Sequence, residues 1–555
     1  MTEVATLADE FVEVMFDAEP LLPALLGVES SREGLADVSD RAEQAHRATL
    51  ATFVERARSL NPAELSAPDR VTRDVLINQA QGDIDQIDTR VVEFTISSIF
   101  ISPAAGLLTS LPMIAVSGPG AAEAQLSRLA AIPAYLEQCM QRHRDGVAAG
   151  RLPVAPLVEA AIAHIDRYLA DPATDPLLRQ PSPDEDFKRR RAEALRDVVH
   201  PAFAAYRDAL AAEIAPHGRP EEKPGLCWLP DGEQIYAKLA RKHTTTDRSP
   251  ESLHTTGLDL IARLADEYRD LGSKVLGTRE LPEIFERLRN DPALRWKSGE
   301  ELLDSARAAI TRADEAAPRW FGRIPPQPWT VEEVPAEAAP GAPAAYYMFP
   351  SSDGTRPGTY FANVHEATER PRYVAEAIAF HEAIPGHHFQ LSTALGLEDL
   401  PLLRRIGDFN AYVEGWGLYA ERLAHEMGLY SDDVALLGML TMDSMRAGRL
   451  VVDTGLHALG WSRRQAVDYL VENTPMAKVE IEAEIDRYIT YPGQALSYMV
   501  GRLEILRIRE AAEKALGERF DIKEFHDLVL GGGALPLSVL DAVVAEWVAE
   551  NGARE

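Results

Sequence analysis

The sequence predicts a mainly helical protein with one small antiparallel sheet directly before a histidine-rich motif. Along most of the 555 residues, apolar side chains recur three and four positions apart among charged ones, the pattern of helices that bury one face. Residues 318–343 break this pattern, because their seven prolines exclude a long helix. Helical periodicity then returns and continues to the C-terminus.

The helices before this break are predicted from periodicity and cap signals. The amphipathic pattern predicts helices near residues 40–60, 120–149, 155–170 and 184–215. Ser249 followed by Pro250 has the form of a helix cap and first turn, and it predicts a helix that runs to Gly272.

An uncharged segment from Phe94 to Ala122 could be mistaken for a membrane span. It contains Pro103, Pro112 and Pro119, and in a bilayer the backbone groups freed by three prolines would stay unpaired. We therefore expect irregular chain packed inside the protein, and no membrane partner.

The predicted sheet comes from three short β-like runs in and after the proline-rich stretch, at Trp329–Val334, Ala345–Phe349 and Thr359–Val364. A loop rich in turn residues joins the last two runs. Helices are then expected at about 371–384, 408–427 and 494–516, the last two closed by glycines.

Composition excludes some classes of protein. The net charge of −30 argues against a nucleic-acid partner, because an acidic surface repels phosphates. Cys139 and Cys227 are not spaced as a metal pair, which predicts buried thiols in a reducing compartment. The first twenty residues lack the basic and apolar regions of a signal peptide, so a cytoplasmic location is expected.

The most informative run is AIAFHEAIPGHHFQ, which contains His381 and Glu382. A zinc hydrolase needs imidazole and carboxylate ligands, an open position for water, and a carboxylate that takes the proton of that water. His381 is the predicted metal ligand and Glu382 the predicted catalytic base.

The second histidine ligand needs a break in the helix. The usual position, four residues after the first histidine, is Pro385. On a regular helix His387 would lie about 9 Å along the axis from His381, too far to share an ion. The Pro-Gly pair can break the helix and return His387 to His381. His387 is the predicted second ligand because it needs the smaller distortion, and His388 remains an alternative.

The third ligand is expected from a separate helix, in the run VEGWGLYAERL. Glu414 is followed by Gly415 and Gly417, which permit close helix approach, and it is the predicted ligand. Glu421 lies seven residues later on the same face, where it could support a ligand histidine. The ordinary alternative is that both are solvated helix carboxylates.

These motifs resemble the bacterial family of unknown function numbered 885. HEAIPGHH, EGWGLYAE, YPGQALSYMVGRLEI and FHDLVLGGGALPLSVL carry the resemblance, which covers roughly residues 220 to 545. The family is similar, more distantly, to the gluzincin metallopeptidases, which bind zinc with two histidines of one helix and a glutamate of a later one. The resemblance implies a large multi-helix, zincin-like architecture and the activity of a hydrolase.

Candidate substrate groups follow from the charge that builds up in amide hydrolysis, which a hydroxyl or cation stabilises. Tyr498 is the candidate oxyanion donor and Arg502, one turn later, the candidate carboxylate clamp. Tyr491 is a further candidate for substrate binding. A core tyrosine with a surface arginine explains the pair Tyr498 and Arg502 equally well.

The function expected is that of a zinc peptidase acting on short peptides, with one Zn²⁺ or another divalent ion such as manganese or cobalt. A metal-dependent hydrolase of another amide or ester, and a non-catalytic metal-binding helical protein, are the alternatives. We expect an N-terminal helical lobe over 1–220 and a catalytic lobe over 221–555, packed as one helical body. The expected partner is a small peptide or amide substrate, and the sequence leaves a homodimer open.

Overall fold

The computed structural model describes residues 2–28, 30–336, 339, 342–350 and 356–552. The chain forms two compact units, each gathered from separated stretches of sequence. The first unit contains residues 1–242, 455–465 and 484–492, and the second contains residues 243–454, 466–483 and 493–555. The histidine-rich motif and Glu414 therefore belong to the second unit.

The first ten helices of the chain include all those predicted from periodicity before residue 220. In chain order they are α1 (Glu3–Ala18), α2 (Leu22–Leu26), α3 (Asp40–Ser59), α4 (Ala67–Thr89), α5 (Pro103–Met113), α6 (Pro119–Ala148), α7 (Ala155–Ala170), α8 (Glu185–Ala194), α9 (His200–Ala209) and α10 (Gly232–Thr244). The expected helix over 184–215 is interrupted by π-helical turns at 195–199 and 210–214.

The uncharged segment is more regular than expected. It contains all of α5 and the start of α6. Pro103 and Pro119 occupy first-turn positions, where the missing N–H would have no helical partner anyway, and Pro112 lies near the end of α5. The expectation of irregular chain is thus wrong, because prolines at helix starts do not break helices. Within the described residues, no helix is long and apolar enough to span a membrane.

The segment contributes to the main hydrophobic core of the first unit. Leu107 and Leu111 of α5 pack with Leu129 and Ile132 of α6 and with Phe203 of α9. The exposure of each of these side chains is below 5 %. The absence of charge in residues 94–122 is explained by this burial.

The helices of the remaining chain are α11 (Pro250–Val275), α12 (Leu281–Asn290), α13 (Gly299–Ala316), α14 (Ala375–Glu382), α15 (His387–Leu395), α16 (Leu402–Ile406), α17 (Asn410–Glu426), α18 (Asp433–His457), α19 (Arg463–Asn473), α20 (Lys478–Thr490), α21 (Ser497–Leu516), α22 (Ile522–Leu530) and α23 (Leu537–Gly552). Ser249 caps α11 as predicted, because its side chain accepts a hydrogen bond from the Ser252 N–H at 3.2 Å.

The small sheet has three strands, β1 (Trp329–Glu333), β2 (Ala345–Met348) and β3 (Gly358–Ala362), in the order β1-β3-β2. Strands β2 and β3 pair antiparallel, but β1 pairs parallel to β3. The prediction of an antiparallel sheet is therefore wrong, and the sheet is mixed. Strand β3, the most buried of the three, lies between β1 and β2, and β1 runs in the same direction as β3.

Helices α17 and α21 approach closely through two glycines. A Cβ atom at Gly501 would lie 1.8 Å from the carbonyl oxygen of Ala411, and one at Gly415 would lie 2.5 Å from the Gly501 Cα. Neither position can carry a larger side chain without moving backbone. This contact fixes α17, which carries Glu414, against α21.

Replacing Gly501 with Ala should therefore destabilise the protein. The added methyl group must displace the backbone of α17, and we expect the free energy of unfolding to fall by about 3 kcal/mol. Urea denaturation followed by circular dichroism measures this change. Gly396→Ala is the matched control, because the nearest atom to its added Cβ is 3.5 Å away. Equal stability of both variants would contradict the close contact.

Candidate metal centre

The predicted helix break is present between α14 and α15. Helix α14 ends at Glu382 and α15 begins at His387, with a cis peptide bond between Ile384 and Pro385. A Cβ at Gly386 would lie 1.8 Å from the carbonyl oxygen of His381, so only glycine allows the backbone to fold back this closely. The turn brings His387 to His381, and their ring centroids are 4.8 Å apart.

Helix α17 holds this turn from the other side. The indole Nε1–H of Trp416 donates to the carbonyl oxygen of Pro385 at 3.0 Å. A Cβ at Gly417 would lie 2.6 Å from Cε1 of the His381 ring. Gly417 therefore lets the imidazole lie directly against α17, and the hydrogen bond of Trp416 holds the broken turn on the helix that carries Glu414.

The three predicted ligands converge. Glu414 Oε2 lies 3.4 Å from His381 Nε2 and 3.7 Å from His387 Nε2. One ligand atom from each of the three residues lies within 4.8 Å of the other two. His381 and His387 are buried, and the Glu414 side chain is 23 % exposed, so the cluster opens to solvent on the side of the carboxylate.

This donor set fits a single zinc ion. A tetrahedral ion with bonds of about 2.1 Å spaces its ligand atoms about 3.4 Å apart, close to the two distances measured from Glu414. Two imidazoles and one carboxylate are the ligands of many catalytic zinc sites, which keep the fourth position for water. The residues present therefore fit the ion that the sequence predicts.

Glu421 sets the orientation of His381. Its Oε1 accepts a hydrogen bond from His381 Nδ1 at 2.8 Å. Because a carboxylate can only accept, Nδ1 carries a proton, and Nε2 faces Glu414. A carboxylate behind a histidine ligand fixes its tautomer in many metal sites.

The charges of this cluster shift the pKa values of His381 and Glu414. Burial lowers the pKa of His381, but hydrogen bonds to Glu414 and Glu421 outweigh it and raise that pKa to about 9. Burial raises the pKa of Glu414, yet the two histidines hold it well below its usual value. Glu414 and Glu421 stabilise the protonated form of His381. A bound positive ion would take the place of the proton on Nε2.

His388 faces away from this cluster. Its Nδ1 lies 2.7 Å from the Tyr347 hydroxyl and 3.5 Å from Ser392 Oγ. Burial lowers the pKa of His388 to about 4, so the ring is neutral near pH 7. The structure brings His387, and not His388, beside Glu414, and it ties His388 to the sheet.

The sheet contributes two tyrosines that the sequence analysis does not single out. Tyr347 of β2 is directly opposite Tyr360 of β3, so both side chains lie on the face that contacts His388. Burial, and then the negative charge of Glu382, raises the pKa of Tyr360. Alternation along the two strands, once their pairing is known, would have identified both residues.

The candidate substrate groups are in different surroundings. The Tyr498 ring lies 4.3 Å from the guanidinium of Arg449 and 5.8 Å from that of Arg446. Arg502 is buried and pairs with Asp443 of α18. It is therefore not the surface arginine of the ordinary alternative, and its charge is already matched. Tyr491 belongs to the first unit, and its role in substrate binding stays a prediction.

Comparisons with known proteins identify a family but no activity. Residues 20–544 match the family described as bacterial protein of unknown function, DUF885. A crystal structure from Colwellia psychrerythraea, described as a putative lipoprotein, is 27 % identical with a TM-score of 0.89, over 99 % of both chains. A structure from Shewanella oneidensis, described as a putative lipoprotein of unknown function, is 17 % identical with a TM-score of 0.78, over 98 % of this chain and 100 % of that one. A search of curated proteins gave no significant match.

Metal binding should distinguish the two adjacent histidines. We expect His387→Ala to weaken Zn²⁺ binding at least about 100-fold, since one of three protein ligands is lost. His388→Ala should change the affinity by less than about 10-fold, because this ring contacts Tyr347 and Ser392 instead. Isothermal titration calorimetry with Zn²⁺ measures the affinities of both variants. The reverse order of effects would place His388 on the metal.

Proposed function

The chain belongs to the bacterial protein family of unknown function DUF885, and we propose that it is a zinc-dependent hydrolase that cleaves short peptides. The observation that carries the proposal is the convergence of His381, His387 and Glu414 through the broken turn at Gly386. The arrangement of a His-Glu pair on one helix and a glutamate ligand on a later helix supports a zincin-like, gluzincin-type architecture for the second unit.

The number of ligands favours catalysis over a structural role. Structural zinc sites usually take four protein ligands, often cysteines, whereas three protein ligands meet here among the described residues. Cys227 lies in the first unit, and the buried Cys139 does as well. An ion with an open position is the arrangement that hydrolysis needs.

The chemistry is divided between the ion and the protein. When bound, the ion would polarise the scissile carbonyl and make water a stronger acid. Glu382, the last residue of α14 and half-buried, accepts the proton of the attacking water and returns it to the leaving nitrogen. Glu421 keeps the proton of His381 on Nδ1 throughout.

The sheet favours a peptide over a compact ester. Among the described residues, β2 pairs with β3 alone, and β2 also packs against α14. The second edge of β2, which has no strand partner among the described residues, therefore offers main-chain donors and acceptors close to the helix that carries His381 and Glu382. An extended peptide can add to such an edge as a further strand, which a small ester cannot.

The location of the protein remains a proposal. The sequence predicts a cytoplasmic location, whereas the two solved structures are described as putative lipoproteins, a description that favours a membrane-anchored or secreted protein. Fractionation of cells that express the chain, followed by detection with an antibody, distinguishes the two.

A digest of a mixed peptide library tests the function directly. The protein loaded with Zn²⁺ should cleave short peptides, and a chelator should remove the activity, because the ion supplies the polarisation of the carbonyl. Mass spectrometry identifies the products, and re-addition of Zn²⁺ should restore them. A protein that binds Zn²⁺ but cleaves only non-peptide amides or esters would instead favour the alternative substrate class.

Replacing Glu382 with Gln should separate metal binding from turnover. The variant keeps all three predicted ligands, so we expect its Zn²⁺ affinity to stay within about 10-fold of the native value. Without a general base, kcat should fall by at least about 100-fold. Glu369→Gln, an exposed residue before α14, is the control and should keep full activity. Native turnover in the Glu382→Gln variant would remove Glu382 from the mechanism.

A further inference from the structure

Glu421 is a buried carboxylate whose partners do not account for its charge. It is completely buried, and its Oε1 accepts the hydrogen bond from His381 Nδ1 at 2.8 Å. Its Oε2 has no hydrogen-bond partner among the described residues. A buried carboxylate is costly unless a positive charge lies nearby.

His381 cannot supply that charge when it holds a metal ion, because a histidine ligand is a neutral imidazole. The His381 ring separates Glu421 from the charge of the ion, so a cation on the other side of Glu421 would stabilise this carboxylate further. Arg446 of α18 is the candidate, because its Nη2 lies 3.9 Å from Glu421 Oε1. Its exposure is only 6 %.

Two neighbouring arginines, Arg422 and Arg502, pair with Asp443 and not with Glu421. Arg422 Nε donates to Asp443 Oδ2 at 2.5 Å, and Arg502 pairs with the other oxygen of Asp443. Arg422 also pairs with Glu267. Two cations thus serve Asp443, while Arg446 is the one that contacts Glu421.

Arg446 has few other partners. Its Nε and Nη1 atoms are buried and have no hydrogen-bond partner among the described residues, and its remaining described contact is with the Tyr498 ring at 5.8 Å. An arginine keeps its charge in any environment, and among the described residues Glu421 is the carboxylate with which Arg446 pairs. A purely structural arginine would be expected to satisfy more of its donors.

We propose that Arg446 is a positioning residue of the metal centre: its charge holds Glu421 in place as the acceptor for His381 Nδ1–H, so that His381 Nε2 faces the ion. The inference rests on the proposed metal site and adds a residue of α18 that touches neither the ion nor its ligands. The chain of contacts runs from Arg446 through Glu421 to His381, across α18, α17 and α14.

The test measures Zn²⁺ affinity of the full-length protein by competition with a chromophoric chelator. Arg446→Met keeps the length of the side chain but removes the charge, and we expect affinity to fall about 10- to 100-fold, as for other partners behind a metal ligand. Arg446→Lys, which keeps the charge, should stay within about threefold of the native protein. The visible absorption of the Co²⁺-loaded protein should shift in Arg446→Met and not in Arg446→Lys.

Arg449→Met is the matched control. Arg449 lies three residues further along α18 and stacks on the same Tyr498 ring at 4.3 Å, so its loss disturbs the same packing. Its Zn²⁺ affinity should be unchanged. Equal losses in Arg446→Met and Arg449→Met would show that packing around Tyr498 matters, and would overturn the proposal.

A double variant tests whether Arg446 acts through Glu421. Glu421→Gln alone should weaken Zn²⁺ binding, and adding Arg446→Met to it should cause no further loss. Losses that multiply would overturn the proposal. Removal of one partner of a buried pair can prevent folding. If Arg446→Met does not fold, Glu421→Gln and Arg446→Lys test the proposal instead. Native Zn²⁺ affinity in Glu421→Gln, or a loss of 10-fold or more in Arg446→Lys, overturns it. A native protein that binds no Zn²⁺ would reject the proposed function itself.

Discussion

The backbone of Gly386 lies against the carbonyl group of His381, and the rest of the candidate centre depends on this contact. A continuous helix would carry His387 about 9 Å beyond His381. The break at Ala383–Gly386 stops the rise along the axis and starts a new helix whose first residue, His387, faces back. The indole N–H of Trp416 donates to the Pro385 carbonyl oxygen. The neighbouring helix α17 therefore stabilises the turn that Pro385 and Gly386 form.

Close backbone approach also determines where the carboxylates lie. Gly417 leaves room for the His381 ring against α17, and Gly415 and Gly501 let α17 and α21 touch. Side chains at these positions would push Glu414 away from the histidines. Three glycines without special dihedral angles thus act through the space that they leave, and they bring the carboxylate of one helix within 3.4 Å of the imidazole of another.

Buried charge is arranged in two neighbouring groups. Around Asp443, two arginines and one carboxylate form a hydrogen-bonded cluster that joins α17, α18 and α21. Around Glu421, the carboxylate lies between His381 and Arg446. Buried ions are expensive to desolvate, and the second group repays this cost only if the orientation of His381 matters. The proposed metal site supplies that reason.

The sequence by itself determined the local features of this protein: the helices with clear periodicity or caps, the three strand segments, the helix break at Pro385–Gly386, and the candidate residues His381, Glu382, His387 and Glu414. These features depend on neighbours within a few residues, such as the cap at Ser249 or the missing donor of a proline. Tertiary structure alone decided the parallel pairing of β1 with β3, the binding of His388 to Tyr347, the pairing of Arg502 with Asp443, and the approach of Arg446 to Glu421. Each of these joins residues that are distant in the chain. Each residue could pair with several chemically equivalent partners, and packing decides which of them it contacts. A local sequence pattern carries no information about this packing.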